Sequence, residues 1–127
     1  TVGGKGKIEA RNKTFKAGQI LENAGITFGL ITDAPFVPIE GQLLQAALYV
    51  KNGLSREMAL KCLTINNAII TDIDSRVGSL EPGKDADVVI WDVEPLATLS
   101  QAGIVIIDGQ IAYRRKAGES NVDYQKL

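Results

Sequence analysis

Histidine is absent from this chain of 127 residues, and cysteine occurs only once. Without histidine, the chain cannot by itself build a metal site that depends on imidazole ligands. The single cysteine, Cys62, cannot form an internal disulfide, so the cysteine content gives no sign of an oxidising compartment. Cys62 lies among apolar residues in a helical pattern, which predicts a small buried side chain in the core.

An excess of charge of one sign is also missing, as are long apolar runs. The chain has 14 basic and 15 acidic residues, for a net charge of −1. This balance provides no electrostatic attraction for nucleic acid or for an anionic membrane surface. No apolar run approaches the length of a transmembrane helix, and no signal peptide is visible. We therefore expect a cytoplasmic protein that binds neither nucleic acid nor membrane.

The first half of the chain has helical patterns around one strongly apolar run. Residues 26–32 are nearly all apolar or β-branched without clean alternation, which is typical of a strand buried on both faces. Gly25 and Gly53 stand where a left-handed residue ends a helix, and Ser55 is suited to cap the next helix. The predicted helices cover residues 12–24, 40–52 and 55–66. The apolar stripe expected on the second of them is Leu43, Leu44, Ala47, Leu48 and Val50.

The second half has the turn signals of antiparallel strands. Pro82-Gly83 presets a tight turn, and Asp108-Gly109 is a strong hairpin dipeptide. The predicted strands cover residues 88–91, 104–107 and 111–113. The change of pattern near Thr71 divides the chain into a βα part, residues 1–70, and a β part, residues 71–127.

Asp33 is the candidate for chemistry on physical grounds. It follows directly after the predicted buried strand, and catalytic groups of α/β barrels sit at the carboxyl ends of strands. A carboxylate there can ligate a metal or act as a general base. The alternative is a plain turn residue before Ala34-Pro35, because an Asp side chain can bond to nearby backbone N–H groups.

Two other acidic pairs resemble calcium ligands only superficially. Asp72 and Asp74, and likewise Asp85 and Asp87, alternate along the chain. Neither pair continues into a loop with the ligand spacing of an EF-hand. We interpret both pairs as turn residues and solvated strand starts.

Several runs resemble the C-terminal end of the metal-dependent amidohydrolases, most closely the group that includes imidazolonepropionase. The most specific is Val77-Gly-Ser-Leu-Glu-Pro-Gly-Lys-Asp-Ala-Asp87. The others are Ile31–Pro35, Tyr49–Ser55, Thr64–Ala68 and the Asp108-Gly109 hairpin. Together they cover nearly the whole chain.

This resemblance implies an α/β fold in which residues 1–70 form the end of a (β/α)8 barrel and residues 71–127 contribute strands to a small composite β-sandwich. It implies a divalent metal, expected to be zinc, that activates water to hydrolyse a C–N bond of an amide, cyclic amide or dipeptide-like substrate. Asp33 falls on the family's Asp at the end of the eighth strand, which contacts the metal or its water and relays a proton to the leaving nitrogen. The chain departs from the family in having none of its histidine ligands, and in having Ala34 where many relatives have a histidine.

One aspartate cannot complete a catalytic zinc site, which needs about three protein ligands. We therefore expect a C-terminal fragment of a longer hydrolase, inactive and without bound metal on its own. Its partners would be the missing N-terminal part of the same protein and a small-molecule substrate. Exposed apolar surface would favour self-association of the isolated piece. Two alternatives remain: a non-catalytic structural or interaction module derived from this fold, and an inactive member that has lost its metal ligands.

Overall fold

A computed structural model describes residues 14–97 and 100–116, as four helices followed by a small antiparallel sheet. This arrangement confirms the α/β class expected from the sequence. The barrel and the β-sandwich are larger assemblies to which these elements would contribute, and both stay predictions. None of the helices in the described part of the chain is long and apolar enough to cross a membrane. The expected cytoplasmic location likewise stays a prediction.

The helices lie close to their predicted positions. They are α1 (Ala17–Asn23), a 3-10 turn (Ile39–Gly41), α2 (Gln42–Lys51), α3 (Arg56–Leu63) and α4 (Ile65–Ile70). Gly25 and Gly53 adopt φ angles of 66° and 105°, the left-handed conformation that was expected after α1 and α2. The predicted first helix is longer than α1, and residues 12 and 13 of it lie outside the described residues.

The predicted helix over residues 55–66 is wrong at its end. The structure has two helices there, because Thr64 adopts φ −131° and ψ −101°, far from helical values. The Thr64 hydroxyl donates to the carbonyl of Leu60 at 2.8 Å, a local bond that competes with the helical pattern. The first helix therefore ends there, and a second helix, α4, begins at Ile65 with Asn66 and Asn67 in its first turn.

The core lies where α2, α3 and the chain before them meet. Ala46, Ala59 and Cys62 are fully enclosed, and such small side chains let helices approach closely. The expected burial of Cys62 is confirmed, and this burial raises the pKa of its thiol. The buried apolar residues are Leu30, Ala46, Leu54, Ala59, Cys62 and Leu96. Since Leu96 lies in the β part of the sequence, this core draws on both predicted domains.

The apolar stripe expected on α2 is partly wrong. Leu44 is 60% exposed, whereas Gln45 is only 2% exposed and Ala46 is fully buried. The buried face of α2 is therefore rotated relative to the predicted one, and it includes an amide side chain. The reason is that Gln45 finds a hydrogen-bond partner inside, which the pattern of apolar residues does not reveal.

The sheet agrees with its prediction almost residue by residue. Its strands are β1 (Val88–Trp91), β2 (Ala102–Ile107) and β3 (Gln110–Arg114), paired antiparallel in the order β1-β2-β3. Asp108 and Gly109 have φ angles of 50° and 73°, as the two central residues of a type I′ hairpin turn require. The local turn chemistry therefore sets the register of β2 against β3 beside the turn, up to an irregularity between Val105 and Ile106 where the register shifts.

The N-terminus of α3 is linked to α1 through Ser55. The Ser55 hydroxyl accepts a bond from the Met58 N–H at 3.1 Å, which confirms the predicted cap. The same hydroxyl donates to Glu22, and the Ser55 backbone N–H donates to the other carboxylate oxygen at 2.9 Å. Both bonds lower the pKa of the Glu22 carboxyl, and the bond from the hydroxyl has the larger effect.

A Ser55→Ala variant is expected to lose stability in two parts. Loss of the cap costs about 1 kcal/mol at every pH. The part that depends on Glu22 is complete above the ordinary glutamate pKa and is lost as the pH falls through the lowered pKa, because a protonated carboxyl no longer needs the donor. Urea unfolding at neutral and acidic pH should therefore show a larger effect of Ser55→Ala at neutral pH. Glu22→Gln, which keeps the cap, is the control, and an equal effect of Ser55→Ala at both pH values would contradict the role of Glu22.

Candidate functional site

Asp33 lies at the end of residues 26–33, which we call the Asp33 segment. The predicted strand over residues 26–32 is not present among the described residues, and the segment carries no strand pairing. Burial alternates over the last residues of the segment: Leu30 and Thr32 are each 5% exposed, whereas Ile31 is 64% exposed. Such a period of two is typical of extended backbone with one face against the protein. Only one face of the segment is covered by the described residues, and burial of the other face, which would need the rest of the expected barrel, stays a prediction.

Side-chain amides hold the backbone of this segment where neighbouring strands would otherwise do so. Gln42 Nε2 donates to the Leu30 carbonyl at 2.9 Å, and Gln45 Nε2 donates to the Ile31 carbonyl at 3.2 Å. Both residues come from α2. These bonds satisfy carbonyls that a paired strand would have offered to its neighbours.

Two asparagines of α4 also bind the backbone of this segment. Asn66 Nδ2 donates to the Phe28 carbonyl at 2.9 Å, and Asn67 Nδ2 donates to the Leu30 carbonyl at 3.2 Å. The Leu30 N–H donates in turn to the Cys62 carbonyl at 3.0 Å. We call Gln42, Gln45, Asn66 and Asn67 the amide cluster.

Gly29 makes room for this arrangement. A Cβ atom added at Gly29 would lie 1.7 Å from Asn67 Oδ1 and 2.9 Å from its Cγ. Any larger residue would therefore displace the Asn67 amide, and with it one bond to the Leu30 carbonyl. The close approach of backbone and side chain is what requires glycine here.

Asp33 itself is exposed, and the chain makes a sharp turn there at the end of the segment. Its φ angle is 58°, in the left-handed region that aspartate tolerates better than most residues. Its carbonyl accepts a bond from the Phe36 N–H at 3.0 Å, which closes the turn. None of the described residues makes a hydrogen bond or ion pair with its carboxylate. The side chain is therefore available to groups outside the described residues.

The residues present do not make a complete metal site. Among residues 14–97 and 100–116, no three acidic or cysteine side chains come together in a group that could hold a metal ion. The chain has no histidine, and Ala34 next to Asp33 offers no ligand atom. Asp33 is thus not part of a group of three such ligands among the described residues.

The interpretation of the second acidic pair as structural residues is confirmed. Asp85 Oδ2 lies 2.6 Å from the Arg76 guanidinium, and Asp87 Oδ1 accepts a bond from the Asp108 N–H at 2.9 Å. The Asp87 bond ties the start of β1 to the hairpin between β2 and β3. Asp72 occupies a turn with φ of 59°, again as predicted.

The sequence prediction missed the amide cluster. Its signal was the spacing of Gln42 and Gln45, three apart on one helix face, combined with a pair of asparagines at the start of another helix. Polar residues at such positions are usually solvated, so the pattern alone does not indicate that they are buried against backbone.

The chain is similar to hydrolases. The family model described as the Amidohydrolase family matches residues 8–114. Amidohydrolase tasK of Hapsidospora irregularis is 34% identical over 103 residues, which is 81% of this chain and 10% of that protein. An imidazolonepropionase of Shewanella baltica is 35% identical over 86 residues, which is 64% of this chain and 21% of that protein.

A solved structure extends the similarity to the fold. The crystal structure of an amidohydrolase from Thermotoga maritima matches with a TM-score of 0.84 and 38% identity, covering 88% of this chain and 29% of that chain. The 127 residues therefore span less than a third of the length of each of these relatives.

Proposed function

Since the chain belongs to the amidohydrolase family, in the group related to imidazolonepropionase, we propose that it is the C-terminal segment of an enzyme that hydrolyses C–N bonds. The substrate would be a small molecule with an amide, a cyclic amide or a dipeptide-like bond. The observation that carries this proposal is the match over residues 8–114, which includes Asp33 at the end of its segment.

Asp33 would be the catalytic carboxylate. It would accept a proton from the attacking water and return that proton to the leaving nitrogen, so that the C–N bond breaks without releasing a strongly basic amine anion. Its exposure, and the lack of any bond from the described residues to its carboxylate, support this role. A carboxylate tied up in a turn or an ion pair would not be available to a substrate.

Metal chemistry in this family would need ligands that these 127 residues lack. Asp33 would contribute one oxygen ligand to a divalent cation, with zinc expected. The remaining ligands would come from the N-terminal part of a longer protein. When bound, such a cation supplies polarisation of water and of the substrate carbonyl.

A non-catalytic module is the second candidate. The observation that favours it is the absence of any metal-binding group among residues 14–97 and 100–116. In that case the apolar side chains that lie exposed near Asp33, such as Ile31 and Phe36, would serve contacts with another protein or with a second copy of this chain.

Expression of the complete natural reading frame distinguishes these candidates. We expect a chain several times longer than 127 residues, because the relatives are that long, and we expect it to contain bound zinc or a similar cation by elemental mass spectrometry. It should hydrolyse at least one of three probes: 4-imidazolone-5-propionate, dihydrouracil or the dipeptide Ala-Pro. The 127-residue piece alone should be inactive and self-associate. A metal-free product that leaves all three probes intact would favour the non-catalytic module.

A further inference from the structure

The connection between β1 and β2 leaves the sheet and reaches the helices. In the part of the chain that the structure describes, none of the three strands packs extensively against a helix. The connection does so instead, because Leu96 is 8% exposed and belongs to the same core as Ala59 and Cys62 of α3. Among the described residues, Leu96 is the one buried apolar side chain that follows α4. We call the described residues of this connection, 92–97, 100 and 101, the strap.

Glu94 fixes the tip of the strap on α3. Its Oε2 atom accepts a bond from Arg56, the first residue of α3, and another from the Leu96 N–H at 3.1 Å. One carboxylate oxygen therefore binds both the start of the helix and the backbone of the residue that enters the core. The ion pair of Glu94 with Arg56 is about half exposed and adds little to stability by itself. The main attachment is thus the apolar contact of Leu96, which Glu94 orients.

The base of the strap is closed at the edge of the sheet. The Asp92 N–H donates to the Gln101 carbonyl at 3.1 Å, and the Gln101 N–H donates to Asp92 Oδ1 at 2.9 Å. Arg115, directly after β3, donates to Asp92 Oδ2 at 3.0 Å and to the side-chain oxygen of Gln101. The bond from the Gln101 N–H, followed by the bond from Arg115, lowers the pKa of the Asp92 carboxyl. The strap is therefore fastened to the sheet at one end and to α3 at the other.

The contacts of the strap are made within these 127 residues. Asp92 and Gln101 follow and precede two strands that already pair with each other, and the core that receives Leu96 is built by the helices of the same chain. The Thermotoga maritima amidohydrolase is a much longer chain, and its structure matches 88% of this one with a TM-score of 0.84. So large a share includes both the helices and the sheet. Their relative placement is therefore similar in a longer protein.

We infer that the strap couples the sheet to the helices, so that the two parts open together as one cooperative unit. A part of a protein with few buried apolar contacts to its neighbour otherwise opens independently. The other connection, residues 71–87, approaches α4 at Gly78 but places no side chain in the core that receives Leu96. The strap therefore supplies the apolar contact that joins the two parts. This inference does not depend on the proposed hydrolase activity.

The test is native-state hydrogen–deuterium exchange of the protein expressed from its complete reading frame, read in peptides that cover α3 and β2. Leu43→Ala serves as the perturbation, because Leu43 of α2 packs against the core of the helices and not in the sheet. We expect it to speed exchange in α3 by about 10-fold or more. If the two parts open together, exchange in β2 rises by the same factor.

Two variants loosen the strap, and two matched controls do not. Leu96→Ala removes most of the side chain that enters the core, and Arg115→Met removes the donor that closes the base. Leu96→Met keeps an apolar side chain of similar volume. Arg76→Met removes an ion pair of the same type, with Asp85 at 2.6 Å, from the other connection. Leu43→Ala is combined with each of the four.

In the wild type and in both controls, we expect Leu43→Ala to speed exchange in α3 and β2 equally. In Leu96→Ala we expect the effect on β2 to disappear while the effect on α3 remains, and Arg115→Met should lie between. An effect confined to α3 in the wild type would overturn the inference, since the two parts would then open independently. Equal effects that persist in Leu96→Ala would also overturn it, since another part of the protein would then couple them.

A Leu96→Ala protein that fails to fold leaves the decision to Arg115→Met, which keeps the core intact. A smaller effect of Leu43→Ala on β2 than on α3 in this variant would support the coupling role of the strap. Equal effects on the two peptides, as in Arg76→Met, would overturn it.

Discussion

An Asp33→Asn variant is expected to lose about 100- to 10,000-fold in kcat while folding as the wild type does. An amide has the shape of the carboxylate but cannot accept a proton from water at neutral pH. Asparagine also tolerates the left-handed backbone that Asp33 adopts at φ of 58°. The loss should therefore appear in kcat on the probe that the wild-type protein hydrolyses, and not in the melting temperature.

Asp72→Asn is the matched control for this experiment. Asp72 is exposed and has a φ of 59°, so the same substitution is made in the same backbone conformation. It follows α4 and lies in a turn that we interpret as structural. We expect wild-type kcat for Asp72→Asn. If Asp33→Asn also keeps most of its activity, Asp33 is a turn residue and the catalytic carboxylate lies elsewhere in the protein.

The β part of the chain could be predicted because its signals are local. A strand such as β1 is set by a few apolar residues and by the turns beside it, and its predicted bounds agree with Val88–Trp91. The Asp108-Gly109 dipeptide determines its own turn and hence the pairing of β2 with β3 next to it, whereas the register shift between Val105 and Ile106 has no such signal in the sequence. The apolar residues of a strand and the dipeptide of a turn are both read from a short run of consecutive residues.

The Asp33 segment could not be predicted in the same way, because a strand exists only where a second stretch of extended backbone pairs with it. Its composition is that of a buried strand, but the hydrogen bonds of a strand need a neighbour. Within the described residues its carbonyls find Gln42, Gln45, Asn66 and Asn67. The location of Asp33 at the end of the segment was predictable from the sequence, whereas the groups that hold the segment were not.

The helices show the same limit in their buried faces. The stripe predicted on α2 counts apolar residues only, and it therefore includes Leu44, which is exposed, and omits Gln45, which is buried. A polar side chain becomes a core residue when a partner lies within reach, and that partner is set by the tertiary fold. Here the partner is the Ile31 carbonyl, 14 residues away in the sequence.

Gly78→Ala is expected to destabilise the protein by about 2 to 5 kcal/mol, the largest effect on stability that we predict. Gly78 has a φ of 92°, which strains any residue with a Cβ atom. The added Cβ would also lie 2.8 Å from Ala68 Cβ and 2.9 Å from Ile65 Cα, the latter a backbone atom of α4. The loop that carries Gly78 would have to move away from the helix. The free energy of unfolding in urea measures this loss.

Gly83→Ala separates the two causes, because it reproduces the strain without the crowding. Gly83 has a φ of 93°, almost the same as Gly78, but nothing lies within 4 Å of an added Cβ atom. We expect Gly83→Ala to cost about 1 to 2 kcal/mol. The difference between the two variants is then the cost of crowding the added methyl group against α4, the helix that carries Asn66 and Asn67. Equal losses for both variants would show that the loop and α4 are not in close contact, and that α4 must be held in place by other parts of the protein.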